Sequence, residues 1–233
     1  MKIVEVDEIV ASGTPTELLA WDENAPHMCI ADHPVWRAAL AGELPADRLR
    51  GLVKRVYPVV AGPGRYAFIA KIGVIDRDDG TRLFDRLYRV THDANSDADV
   101  GWRRMGEAIG VAGDDLAAVL DDPSPEARDL VDTVRLHGEQ SGTAQAAGVA
   151  WVLERQMPGL MGALAGALRD HYGVSEVALS YLWAEATRAE EVEDWVAHLI
   201  DKYFMTADAY TVYEARRAMR EVGWAWTALS EAG

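Results

Sequence analysis

Residues Val177 to Phe204 read VALSYLWAEATRAEEVEDWVAHLIDKYF, with neither Gly nor Pro. The stretch is long enough for about seven helical turns. Steps of three and four pick out Ala178, Tyr181, Leu182, Ala189, Val192, Trp195, Val196, Leu199 and Tyr203, the apolar face of a helix packed on a core. Glu185 interrupts that face, four residues after Tyr181 and four before Ala189, while Glu190, Glu191, Glu193 and Asp194 mostly fall on the other side. A carboxylate inside apolar surroundings is costly unless paired, hydrogen-bonded or neutral. Glu185 is therefore the first candidate for chemistry.

The rest of the chain has the same helical grammar. Thr14, Pro15 and Glu17 have the spacing of a capping box. Asp32 is placed to cap a helix that starts at His33-Pro34 and runs into Gly42. A second helix follows Pro45, with Pro58, Gly62, Pro63 and Gly64 expected to bend or break it. Asp76 to Gly80 reads as a polar turn. The helix after it, TRLFDRLYRVTH, puts His92 one turn beyond Tyr88, at the inner edge of the apolar face. Ser124 and Pro125 open a helix through EARDLVDTVRLHGE, and Gly173 ends a longer one that Pro158 should kink. On that longer helix Ala150, Leu153, Met157, Leu160, Met161 and Leu164 form the inner stripe, and Glu154 shares their side. Thr206 is placed to cap the last helix, whose apolar face is Val212, Met219, Val222, Trp226 and Leu229. No segment alternates as a strand does, and no hairpin turn is flanked by β-branched runs. The expectation is an all-α single domain over 1–233, with about seven to nine helices and a variable arm at 1–31.

Composition narrows the functional classes. The chain has 233 residues, 49% of them hydrophobic, enough for one sizeable core. Its single cysteine, Cys29, excludes a disulfide framework and points to a reducing, cytoplasmic setting. A net charge of −15, from 38 acidic and 23 basic residues, repels phosphate backbones and anionic lipid, so no nucleic acid and no membrane is expected as partner. A neutral or cationic small molecule is the partner that remains. The phosphate-binding, zinc-protease, serine-hydrolase and dithiol motifs are all missing, as are paired ExxH motifs.

What stands out is a set of polar residues on inner faces or at helix starts: Glu154, Glu185, His92, His33, Arg55, Tyr57 and Tyr181. Two interior carboxylates with an imidazole can exchange protons with a substrate. The same groups can hold a metal cation. Each also has a structural role open to it, since an interior Glu commonly pairs with an Arg such as Arg55 or Arg188.

The stretch HPVWRAALAGELPADRLRGLVKRVYP, from His33 to Pro58, resembles the opening of the pyrroloquinoline-quinone synthase group of the haem-oxygenase-like, thiaminase-II-like all-α fold. The similarity continues in the same order at VTHDANSDADVGWRRMGEAIGV, at LERQMPGLMGAL, at HYG and at GWAWTALSEA. The resemblance implies a haem-oxygenase-like helical bundle, a homodimer, and a central pocket for oxidative chemistry with molecular oxygen as co-substrate and no metal. His33, Arg55, Tyr57, His92, Glu154 and Tyr181 fall on positions of that pocket pattern. Three positions depart from it: Glu185 stands in place of an inward Arg, Glu221 in place of a late Lys, and Met161 in place of a His. An anion pocket turned acidic implies an amine-bearing substrate, handled by Glu154, Glu185, His92, Tyr181 and His33 and contacted by Arg55, Tyr57, Met161 and Glu221. The di-iron oxidases of the same fold offer an alternative, but Ala189 and Val192 replace two ligands. A single non-haem iron on His92, Glu154 and Glu185 is what that alternative keeps. A catalytically dead binding module is the third. In the thiaminase-II branch the nucleophile is a pocket cysteine, and Cys29 lies outside the matching helix positions.

Overall fold

The structure, a computed structural model, describes residues 14–23, 29–62, 67, 71, 74–82, 85, 97–187, 195–206 and 208–232, with backbone alone at 21–23. His92 and the helix expected around it, apart from Thr81, Arg82 and Asp85, lie outside the described residues, as do Arg188, Ala189 and Val192. Among the described residues there is no strand, and the all-α expectation holds. No helix among them is long and apolar enough to cross a membrane.

Helix α1 (Pro15–Glu23) opens as its sequence dictates. The Thr14 amide donates to Glu17 Oε2 at 2.7 Å, and the Glu17 amide donates to Thr14 Oγ1 at 3.3 Å, which closes the capping box. Helix α2 (Pro34–Leu40) is capped by His33 rather than Asp32, because His33 Nδ1 accepts from the Val35 amide. Asp32 sits instead in a short 3₁₀ turn, Ile30–Asp32, and takes Arg37 at 3.0 Å. Helix α3 (Ala46–Ala61) runs through Pro58 and stops at Gly62, the second of the four residues expected to bend or break it.

Asp76 begins a helical turn rather than a loop, its Oδ1 taking the amides of Asp78 and Asp79. Helix α4 (Ala98–Ala108) is capped by Asp97, and α5 (Gly113–Asp121) follows. Ser124 caps α6 (Pro125–Arg135) as expected, its Oγ accepting from the Ala127 amide. That helix widens into a π turn, Leu136–Gln140. Helix α7 (Thr143–Ala150) passes through a second π turn, Trp151–Gln156, into α8 (Met157–Tyr172), which Gly173 ends in the left-handed conformation at φ 70°.

The stretch 177–204 is not one uninterrupted helix. Val177 and Ala178 belong to a turn, α9 spans Ser180–Thr187, and a third π turn covers Ile200–Phe204. Helix α10 (Ala209–Glu231) is capped by Asp208, whose carboxylate takes the amides of Tyr210 and Thr211; Thr206 supports that cap through its hydroxyl.

Helix α10 packs most extensively on α7 and α6, α8 on α9 and α2, and α3 on α4, α5 and α6. The core between them buries Trp36, Trp102, Trp151, Trp226, Tyr57, Tyr181 and Phe204 almost completely. Three glycines allow close approaches between helices. A Cβ at Gly148 would come within 2.3 Å of the Ala215 carbonyl oxygen on α10. One at Gly101 would come within 2.1 Å of Tyr181 Cβ, and one at Gly162 within 2.8 Å of Ala186 Cβ. Helix α9 is therefore held between α4 and α8.

Candidate functional site

The arrangement of α9 follows from those contacts. Tyr181 faces Gly101 of α4, and Glu185, one turn on, emerges on nearly the same side at 4% exposure. Ala186 faces α8 through Gly162. Ser180 is tied to α4 by Arg104, whose Nη1 donates to its hydroxyl at 3.1 Å.

Glu154 lies in the π turn that joins α7 to α8 and is 2% exposed. Pro158 explains the turn. In an α-helix its amide would bond the Glu154 carbonyl, but proline has no N–H and its ring crowds that oxygen. Widening the preceding turn relieves the conflict, and such turns recur at functional sites. The neighbouring Gln156 accepts the Ile30 amide at 3.1 Å, and the Arg155 guanidinium lies over the Trp151 ring at 4.4 Å. Met161, one turn into α8, is 1% exposed. Glu154, Met161, Tyr181 and Glu185 are thus all interior, on the π turn, on α8 and on α9, and α8 packs against both of the others.

Other expected site residues have partners elsewhere. His33 Nε2 lies 3.5 Å from Glu231, and Arg55 Nε donates to the Leu229 carbonyl at 3.2 Å. Both hold the C-terminal end of α10. Burial and the nearby Arg48 lower the pKa of Arg55. Tyr57 is buried; its hydroxyl donates to Asp99 and accepts from Arg103 Nε at 2.7 Å. Burial and the Asp99 hydrogen bond raise its pKa, so it stays protonated. Burial opposes the charge on Asp99, yet the bonds from Tyr57 and Arg103 hold its pKa below the usual carboxylate value.

Glu221, ten residues before the end of α10, meets a partner the sequence does not announce. Its Oε2 lies 2.7 Å from Nε2 of His137, which is buried in the first π turn. Arg217 Nη2 donates to Glu214 at 2.8 Å, and Gln145 Nε2 donates to the same carboxylate at 2.5 Å. Together these groups form a polar chain along α10. Asp79 is the centre of another cluster, at 8% side-chain exposure, with Tyr203, Lys202 and His198 around it. His198 is exposed, as its place off the apolar stripe implies.

The iron alternative can be tested on its donors. Among the described residues no three His, Cys, Asp or Glu side chains are grouped to hold a metal. Of the expected set, Glu154 and Glu185 are placed in the interior and His92 lies outside the described residues. Cys29 is half-buried beside the 3₁₀ turn, away from α8 and α9 in the chain.

No protein-family model matches the chain, and no curated protein matches it in sequence. Solved structures do. A TenA homologue from P. horikoshii OT3 aligns with a TM-score of 0.70 at 13% sequence identity, covering 94% of this chain and 97% of that one. A TenA homolog from Pseudomonas syringae pv. tomato str. DC3000 aligns with a TM-score of 0.70 at 16% identity, covering 96% of this chain and 94% of that one. At such identities the likeness is one of fold: the chain has the all-α architecture of those two TenA homologues.

Proposed function

We propose that the chain is an enzyme acting at a carbon–nitrogen bond of a small amine-bearing molecule, bound inside the bundle beside α8 and α9. The observation that carries this reading is the burial of two carboxylates, Glu154 and Glu185, at 2% and 4% exposure. A low-dielectric interior screens charge poorly, so a cationic ammonium is attracted there far more strongly than in water. One carboxylate orients the ammonium, the other accepts its proton, and Tyr181 walls the same side as Glu185. His92 is assigned the role of carrying that proton onward.

Oxidation is the finer reading, taken from the quinone-synthase resemblance. The amine would lose two electrons and two protons to dioxygen and leave as the imine, with hydrogen peroxide as the second product. The non-redox alternative at the same bond is hydrolysis, with water adding to the carbon and the amine leaving.

A panel of small amines separates the readings by product: peroxide marks oxidation, and free amine without peroxide marks hydrolysis. Glu154→Gln with Glu185→Gln keeps the shapes and removes both proton acceptors. The turnover rate of that double variant should fall by about 10²- to 10⁴-fold. Turnover at the native rate would sink the assignment.

A further inference from the structure

We propose that the outer groove between α3, α5 and α6 binds a small organic monocarboxylate, one with a short apolar body behind its charged end. The groove is open and about 230 Å³ in volume. Gly51, Lys54, Arg55 and Pro58 form its α3 side, Val119 its α5 side, and Ser124 with Ala127 its α6 side. None of these residues lies on the π turn of Glu154, on α8 or on α9, so the groove shares no residue with the interior carboxylates.

Arg55 supplies the recognition. Its Nε is taken by the Leu229 carbonyl at 3.2 Å, and that bond holds the half-buried guanidinium with its outer edge unbonded. Nη1 and Nη2 make no hydrogen bond among the described residues. Those two nitrogens form the end-on fork that a carboxylate fills with both of its oxygens. Room for the fork comes from Gly51, one turn earlier, where a Cβ would stand 3.2 Å from Nη1. Glycine inside a helix is less stable than alanine, and here it gives the guanidinium space against the helix. Burial and the nearby Arg48 act against the charge on Arg55 more than Glu126 supports it, which leaves the cation short of a counter-charge.

The neighbours decide which anion is taken. Lys54 adds a second cation but is held by Asp115 at 3.0 Å, and Glu126 lies within electrostatic reach of Arg55. A phosphate dianion meets both carboxylates and is repelled by each, whereas a monoanion needs only the one fork. Ser124 Oγ accepts the Ala127 amide at 3.2 Å and keeps its own proton to donate. The rest of the wall is apolar: Pro58 and Ala127 are buried and Val119 is half-buried. Such a lining gains from an apolar ligand body and offers nothing to an inorganic anion. In a chain of net charge −15 the long-range field does not draw anions in, so the affinity comes from these short contacts and is modest.

An NMR titration of the ¹⁵N-labelled full chain with sodium benzoate tests the proposal. The amides of Gly51, Lys54 and Val119 should shift together and saturate with a dissociation constant of about 1 mM. Benzyl alcohol and inorganic phosphate should each bind at least about 10-fold more weakly. Arg55→Gln removes the fork and should weaken benzoate by about 10-fold or more. Arg55→Lys keeps the charge and should lose nearly as much, because the paired donors are gone. Val119→Glu sets a carboxylate in the groove while leaving every Arg55 bond in place. It should have the same effect, and it serves if Arg55→Gln misfolds. Glu154→Gln with Glu185→Gln should bind benzoate as the native chain does, which separates this groove from the interior site. Native affinity in Arg55→Gln or Val119→Glu, phosphate binding as tight as benzoate, a loss in the interior double variant, or no shift at about 20 mM benzoate would each overturn the assignment.

Discussion

Asp79 receives the Tyr203 hydroxyl at 2.7 Å and the Lys202 ammonium at 3.0 Å, with His198 Nε2 also at 3.0 Å. These bonds, Tyr203 first, hold its pKa at about 2, below the ordinary 3.8. A depressed carboxyl pKa stabilises the fold at pH values above the unfolded-state pKa, and that contribution is lost as pH falls through the folded-state value. Asp79→Asn should therefore lower the urea midpoint at neutral pH, and the gap to the native protein should close as pH drops from 3.8 towards 2. A gap that persists at the acid end would show that packing, not charge, is what Asp79 supplies.

Residue roles were legible where they depend on near neighbours. The capping box of Thr14 and Glu17 and the cap at Ser124 follow from spacings of three residues. The inward position of Glu154 and Glu185 follows from helical period alone. His137 was not legible, because its partner Glu221 lies 84 residues away. Periodicity cannot pair residues on different elements. For the same reason Tyr57 reads as an inner-face tyrosine in sequence, with nothing to announce Asp99 and Arg103 as its partners.

At the scale of the element, small residues decide which helices touch. Gly148→Ala places a methyl 2.3 Å from the Ala215 carbonyl oxygen, a backbone atom that can move only with all of α10. Overpacking of that kind costs about 1–3 kcal/mol. Gly166, in the middle of α8, has no atom within 4 Å of where its Cβ would stand. Gly166→Ala should instead stabilise by about 0.5–1 kcal/mol, since alanine restricts the unfolded chain and favours helix. Chemical denaturation of both variants checks the pair, and opposite signs are the expected result. Helix existence was readable from the apolar stripes, while three ends and caps were displaced. Pro58 does not break α3, because the loss of one amide bond is tolerated where the surrounding faces, Val56 to Val60, are buried, and the helix continues to Gly62. Val177, 74% exposed, has no core to hold it in helix, so α9 begins only at Ser180.

Across the whole molecule, a surplus of negative charge works against compaction. Raising salt from a few millimolar to physiological strength shortens the screening length to about 8 Å and weakens that self-repulsion. The thermal midpoint should rise over that range, and a fall would mean that the surface pairs, such as Lys54 with Asp115, outweigh the repulsion. The fold was legible because helical stripes and the order of short motifs survive when few individual residues do. The chemistry was less so, since it depends on which interior groups face one another. The end of α10 has one more consequence. His33 meets Glu231, Trp36 Nε1 donates to Ser230 at 3.1 Å, and Arg55 holds the Leu229 carbonyl. Terminal helical turns ordinarily fray and swap their amide protons with solvent within moments. Here the amides of Leu229 and Ser230 should resist deuterium as long as the bundle centre does, so that isotope uptake at the tail reports the opening of the entire molecule.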